Sequence, residues 1–200
     1  MKRFTLARIW SPRTYSWLAK YYDRLAVLFS PAAGQQEVLS GLETGCILDA
    51  GCGTGSLLGL ASQRGLECFG LDSSPGMLAE TRRKLPEAQL VLGSFYEMPF
   101  ASGSFDYVVE TNALGGVHLD ARLALSEMLR VCRGGGEVRL ADYAAPPEMT
   151  WSRRVLISLG AIIGDYPVDF GAIFRNLGYE ARVRPLGGYD LYQSFTVRKE

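Results

Sequence analysis

An apolar strand that runs into three alternating glycines, Ile47-Leu48-Asp49-Ala50-Gly51-Cys52-Gly53-Thr54-Gly55-Ser56, is the strongest constraint on what this chain can fold into. Alternate glycines at the carboxyl end of a strand permit a tight turn and remove the side chains that would keep a bulky ligand off the backbone. The run therefore predicts a strand-turn-helix unit around a nucleotide-type ligand. The dinucleotide fingerprint G-x-G-x-x-G would put its third glycine where Ser56 stands, but here it comes one residue early, at Gly55. That displacement counts against a nicotinamide dinucleotide. A second apolar strand, Phe69-Gly70-Leu71-Asp72, ends in an acid nineteen residues beyond Gly53. A carboxylate there can accept from both hydroxyls of a ribose.

The rest of the chain alternates strand and helix patterns without a repeat, a low-complexity tract or a Pro/Ser-rich linker, so an α/β fold in one domain is expected. Strands are predicted at Cys46–Ala50, Glu67–Asp72, Gln89–Gly93, Phe105–Glu110 and Glu137–Tyr143, with two more at Glu180–Pro185 and Leu191–Arg198. Helices are predicted at Ser56–Gln63, Ser74–Leu85, Ala121–Cys132 and Val168–Asn176. In the third of these, Leu125, Met128, Leu129 and Cys132 follow the i, i+3, i+4, i+7 spacing of one apolar face, and Gly134-Gly135-Gly136 is expected to stop it and turn the chain. The segment from Ala144 to Pro167 is poorly patterned.

Composition narrows the partners. Lys+Arg and Asp+Glu each number 21, so the formal net charge is zero, and the cations are scattered rather than clustered. Such a chain offers no basic field for nucleic-acid phosphates. The longest apolar run, Val155 to Ile163, is too short to span a bilayer, and Met1 to Pro12 lacks a signal-peptide core. A cytoplasmic location is expected. With four cysteines, no C-x-x-C pair and a single histidine, neither a zinc site nor a disulfide framework is expected, and no metal is assigned.

The G-x-G-x-G spacing, with Asp49 two residues ahead of it and Asp72 downstream, resembles motif I and the ribose acid of class I S-adenosylmethionine (SAM) dependent methyltransferases. The resemblance extends from about Tyr21 onward and is most specific in LGSFYEMPFASGSFDYVV (Leu92 to Val109) and EMLRVCRGGGEVRLADY (Glu127 to Tyr143). These segments are similar to the menaquinone/ubiquinone C-methyltransferase-like branch of that family. Two positions depart from its pattern: Ser94 stands where an aspartate usually meets the adenine amine, and Gly134 where proline is usual. A hydroxyl can still accept from that amine.

The resemblance implies a Rossmann-like seven-stranded sheet with helices on both faces and the last strand antiparallel. It implies SAM as cofactor, with Asp49, Gly51, Cys52, Gly53 and Gly55 at its methionine part and Asp72 at the ribose. Ser73 and Met77 would meet the adenine face, Ser94 and Phe95 its edge, and Asn112 the neighbourhood of the sulfonium. It also implies that residues 1–40 form a helical lid in which Tyr22, of the Tyr22-Asp23 pair, closes over the cofactor. The lid segment Tyr15–Phe29 has helical spacing at Leu18, Tyr21 or Tyr22, Leu25 and Phe29, and reads equally as a helix packed on the sheet. Its basic and aromatic residues, Arg13, Trp17 and Lys20 among them, also suit a membrane surface.

Methyl displacement from a sulfonium rests chiefly on in-line positioning, with a base needed only if the acceptor must lose a proton. Asp142 and Tyr143, at the end of the fifth predicted strand, are candidates to line the acceptor pocket, although Asp142 also suits a loop cap. His118 is the only histidine, but it reads equally as a helix-entry residue. Apolar residues between Trp151 and Ile163 suggest a small hydrophobic acceptor of quinone or lipid type. The alternative function is a non-catalytic SAM-binding protein that acts through a partner. The sequence does not distinguish a monomer from an oligomer.

Overall fold

The computed structural model describes residues 11–29, 32–115, 120–163, 166–187 and 190–200. Seven strands and seven helices follow in the order α1 (Pro12–Phe29), α2 (Ala32–Val38), β1 (Cys46–Ala50), α3 (Ser56–Ser62), β2 (Glu67–Asp72), α4 (Pro75–Lys84), β3 (Gln89–Leu92), β4 (Phe105–Thr111), α5 (Ala121–Val131), β5 (Cys132–Tyr143), α6 (Trp151–Ile163), α7 (Phe170–Asn176), β6 (Arg182–Gly187) and β7 (Tyr192–Arg198). The strands form one sheet in the order β3-β2-β1-β4-β5-β7-β6. Strands β1 to β5 are parallel to one another, and β7 runs antiparallel between β5 and β6. The expected seven-stranded sheet with an antiparallel last strand is the observed one.

Both faces of the sheet are covered because successive strand residues feed opposite cores. Leu48, Val108, Val138 and Leu140 meet Leu125, Met128 and Leu129 of α5 together with Phe170 and Phe174 of α7. Ile47, Val109 and Ala141 instead meet Val38 and Leu39 near α2 and Leu57, Leu58 and Ala61 of α3. Burying a leucine or phenylalanine of this kind stabilises by roughly 1.5–3 kcal/mol, so each face contributes substantially to the fold. The chain leaves β1 toward β2 on one side and meets β4 on the other. Their carboxyl ends therefore part at a crevice, the usual ligand position in an open α/β sheet.

Several stretches differ from the sequence expectation: α2 is an additional helix, and β6 runs Arg182–Gly187 rather than Glu180–Pro185. The segment after β5 contains a full helix, α6, where little pattern was legible. Helix α7 starts at Phe170 rather than Val168, because the Asp169 carboxylate caps it by accepting from Ala172 N at 2.8 Å. The triple glycine does not turn the chain: α5 passes directly into β5 at Cys132, whose ψ of 138° is already extended. Between the pairs Phe105↔Cys132 and Tyr107↔Glu137 the ladder takes up a bulge on the β5 side, which Gly135 accommodates with φ 75°. At Gly136 a Cβ would lie 2.6 Å from Asp106 O, so only glycine lets β5 approach β4 this closely.

Candidate functional site

The glycine turn is held open by the strand and helix that follow it. Gly51, Gly53 and Gly55 all adopt positive φ (87°, 51° and 79°), a region that penalises any side chain. Gly51 N and Cys52 N donate to Leu71 O at 2.7 and 3.0 Å, which pins the turn to the end of β2. On the far side, Thr81 Oγ1 donates to Gly53 O at 2.7 Å and Lys84 Nζ to Thr54 O at 3.0 Å, both from α4. A Cβ on Gly55 would lie 2.5 Å from Thr81 Cγ2, so close packing on α4 reinforces the demand for glycine there. At Gly53 a Cβ would meet nothing within 4 Å. That open backbone position is the natural cradle for a ligand.

Two carboxylates flank the cradle. Asp72 Oδ2 accepts from Gly53 N at 2.9 Å and its Oδ1 accepts from Ser74 N at 2.8 Å. The two sequence motifs are thus one unit, joined by a hydrogen bond. Burial raises the Asp72 pKa, and the amides of Ser74, Gly53 and Ser73 oppose that rise. Each carboxylate oxygen retains a second acceptor site for a ligand hydroxyl. Asp49 is 2% exposed, and its Oδ1 is buried with no hydrogen-bond partner. Burial pushes its pKa up to about 8, with the charge of Asp72 adding to the effect. A buried acceptor left without a donor is costly, and a cationic group placed in the crevice would satisfy it.

A second pair of acids lies at the ends of β4 and β5. Asp142 accepts from Leu114 N and Gly115 N at 2.9 Å each through Oδ2, and from Tyr143 N at 2.6 Å through Oδ1. Burial raises the Asp142 pKa and these amides oppose the rise, while the bonds from Leu114 and Gly115 make Asp142 the holder of the 113–115 loop. Glu110 accepts from Ala113 N through Oε1, while its fully buried Oε2 accepts from no donor. Burial and the facing Asp142 push Glu110 well above the ordinary carboxyl range, so both acids of the pair are displaced toward their protonated forms.

The remaining predicted residues fall on the same edge in different roles. Asn112 adopts φ 57° immediately after β4, and its amide donates to Ala141 O at 3.2 Å. Phe95 and Ala113 close over Gly51: a Cβ there would lie 2.9 Å from Phe95 Cε1 and 2.8 Å from Ala113 Cβ. Ser94 Oγ accepts from Tyr96 N at 3.2 Å, and Ser73 is exposed beside the crevice. Met77 is 2% exposed, so its side chain is part of the interior beneath α4. Cys52 points away from the crevice: its sulfur would lie 2.8 Å from a Cβ on Gly70, and burial pushes its thiol pKa up. Tyr143 is half-buried at the end of β5. His118 lies outside the described residues.

Helix α1 is seated on the cofactor-side rim. Ser16 Oγ and Ser74 Oγ are 2.8 Å apart, Gly76 N donates to Ser16 Oγ at 3.2 Å, and a Cβ on Gly76 would lie 2.5 Å from Ser16 Cα. Tyr15 and Tyr22 are half-buried and meet edge to face at 6.1 Å. Glu110, Thr81, Lys84, Ser16 and Tyr192 were not singled out from sequence. Glu110 alone left a signal, as an acid within an otherwise apolar strand. Tyr192, whose hydroxyl donates to Ala141 O at 3.3 Å and occupies the space where Gly34 lacks a side chain, left none.

Residues 48–140 match the family model described as Methyltransferase domain, which bears out the resemblance read from the motifs. Over 101 residues the chain is 40% identical to a demethylmenaquinone methyltransferase of Beutenbergia cavernae, covering 50% of this chain and 42% of that protein. Over 118 residues it is 36% identical to an uncharacterized methyltransferase of Mycobacterium tuberculosis, covering 59% and 46%. The chain thus spans less than half the length of these curated relatives. In fold it is similar to a SAM-dependent methyltransferase from Thermotoga maritima, with a TM-score of 0.71 at 17% identity over 93% of this chain and 98% of that one. It is also similar to a geranyl diphosphate C-methyltransferase from Streptomyces coelicolor solved with S-adenosyl-L-homocysteine, with a TM-score of 0.70 at 14% identity over 83% and 78%.

Proposed function

We propose that this chain, whose residues 48–140 match the methyltransferase domain model, is a class I SAM-dependent methyltransferase acting on a small hydrophobic acceptor of quinone or lipid type. The carrying observation is the joined unit of Asp49, the open Gly53 position and Asp72, which offers SAM what its groups require. The unpartnered Asp49 oxygen suits the ammonium of the methionine part, the remaining acceptor sites of Asp72 suit the ribose hydroxyls, and the bare backbone at Gly53 admits close approach. When bound, SAM supplies an already activated methyl group. The protein then has to position the acceptor in line and exclude water.

The acceptor side falls to β4, β5 and the segments beyond them. Asp142 fixes the loop after Asn112 through Leu114 and Gly115, and Tyr143 is the candidate to line the acceptor pocket. The demethylmenaquinone relatives favour a quinol, whose ring carbon would have to lose a proton. No base is assigned for that proton. On this reading residues 1–200 are one domain, residues 1–40 a lid with Tyr22 on its inner side, and the location cytoplasmic.

The test is transfer of labelled methyl from SAM to a panel of demethylated quinols, simple phenols and phospholipids. Product from a quinol that disappears with Asp72→Ala supports the proposal. SAM binding without turnover on any acceptor would favour the non-catalytic alternative.

A further inference from the structure

We propose that the outer face of α1, together with the first turn of α6, seats the carboxyl edge of the sheet on an anionic lipid bilayer. The inner side of α1 is occupied: Ala19 is 5% exposed, and Ser16 is locked to Ser74 and Gly76 of the α4 entry. On the opposite side, Arg13, Trp17, Lys20 and Tyr21 follow i, i+4, i+7, i+8 spacing and are all exposed. Trp17 is 77% and Tyr21 59% exposed. Large aromatic rings left in water on a helix whose other face is packed mark an interaction surface rather than a core.

Charge and residue type decide which partner fits. The described part of that face pairs two aromatics with two cations and contains no acid, and the sequence of α1 includes only one acid, Asp23. Tryptophan and tyrosine settle at headgroup depth, and each Lys or Arg near an anionic surface adds to the attraction. The first turn of α6 repeats the pattern. Trp151 is 80% and Val155 41% exposed with Arg154 between them in the sequence, whereas Arg153 is paired with Asp190, and Glu148 is an exposed acid three residues ahead of the helix.

Each surface lies on or against a segment that follows the carboxyl end of a strand. Helix α1 docks on the turn that follows the carboxyl end of β2, and α6 follows the carboxyl end of β5. An acceptor dissolved in the bilayer would then reach the crevice without crossing water. The surface does not depend on the acceptor assignment above, because exposure and charge alone define it. No helix among the described residues is long and apolar enough to cross a membrane, so the contact is a peripheral one.

The experiment is co-sedimentation of the full chain with vesicles of phosphatidylcholine alone and of phosphatidylcholine mixed with phosphatidylglycerol, without SAM or acceptor. The wild type should partition onto the anionic vesicles, less so at high salt, and hardly at all onto the neutral ones. Trp17→Ser/Tyr21→Ser and Arg13→Glu/Lys20→Glu should each lower partitioning at least about tenfold. All four side chains are exposed, so an unchanged circular dichroism spectrum and thermal midpoint should show that the variants fold. Wild type left in the supernatant with anionic vesicles would overturn the proposal. So would variants that bind as well as wild type, or self-association through this face with no vesicle binding.

Discussion

Asp49 makes the free protein sensitive to pH in a direction opposite to that of an ordinary surface aspartate. Its pKa rises from 3.8 to about 8 on folding because burial penalises its charge. Between those values the folded state holds more protons than the unfolded one. Stability from this group is therefore full below about pH 4 and is lost as the pH climbs through 8, with a slope of at most about 1.4 kcal/mol per pH unit. Thermal midpoints of wild type and Asp49→Asn measured from pH 5 to 8 should diverge, the wild type falling more steeply. A cation held beside Asp49 favours its charged form, so SAM affinity should rise over the same window and lose that rise in Asp49→Asn. Gly55 makes a steric prediction: Gly55→Ala should cost about 2 kcal/mol or more, from its φ of 79° and the contact with Thr81 Cγ2. Thr81→Ser removes that methyl but keeps the hydroxyl bond to Gly53 O, so Gly55→Ala should cost less in the serine background. A double-mutant cycle in urea reads the difference. The need for glycine at Gly51, Gly53 and Gly55 was legible in the sequence. The thread from Thr81 to Gly53 was not, because a threonine on a helix leaves no mark of the carbonyl it will meet 28 residues away.

At the level of elements, the fold depends on helices that hold loops as well as helices that cover strands. Glu127 and Arg130 of α5 form an ion pair at 2.6 Å and clamp the segment after β3: Arg130 donates to Met98 O and Phe100 O, and Glu127 accepts from Met98 N. Arg130→Ala should destabilise by about 1–3 kcal/mol and speed hydrogen exchange at the Met98 and Gly103 amides more than elsewhere. Helix α1 depends on one glycine. Gly76→Val has no room against the Ser16 backbone, so it should raise exchange throughout α1 while β1, β4 and β5 stay protected. Sequence reading located α5 and its face because Leu125, Met128 and Leu129 repeat at helical spacing and all turn inward. It placed a turn at Gly134 to Gly136 because glycines usually break structure, whereas here they let β5 bulge and press against β4. It found no pattern across α6, because from Val155 to Ile163 the sequence is an almost unbroken apolar run with no polar face to mark the period.

Across the whole molecule, one sheet edge gathers everything the proposed activity needs. The parting of the chain between β1 and β4 opens the crevice, and β1 and β2 supply the cradle with its two carboxyls; in the proposed activity β4 and β5 would supply the acceptor side and α1 would close the rim. The strand order came into view through the family resemblance rather than through periodicity, since alternating βα patterns fit several orders of a parallel sheet. What remained hidden at this scale was the meeting of distant residues, such as Ser16 with Ser74 or Glu110 with Asp142. If the Asp49–Gly53–Asp72 unit binds SAM, calorimetric titration of the full chain, with NADH as control, should show saturable one-to-one binding of SAM, none of NADH, and loss of the SAM signal in a folded Asp72→Ala variant. A folded wild-type protein that takes up no SAM, or an Asp72→Ala variant that binds it unchanged, would mean that this unit is not a SAM site.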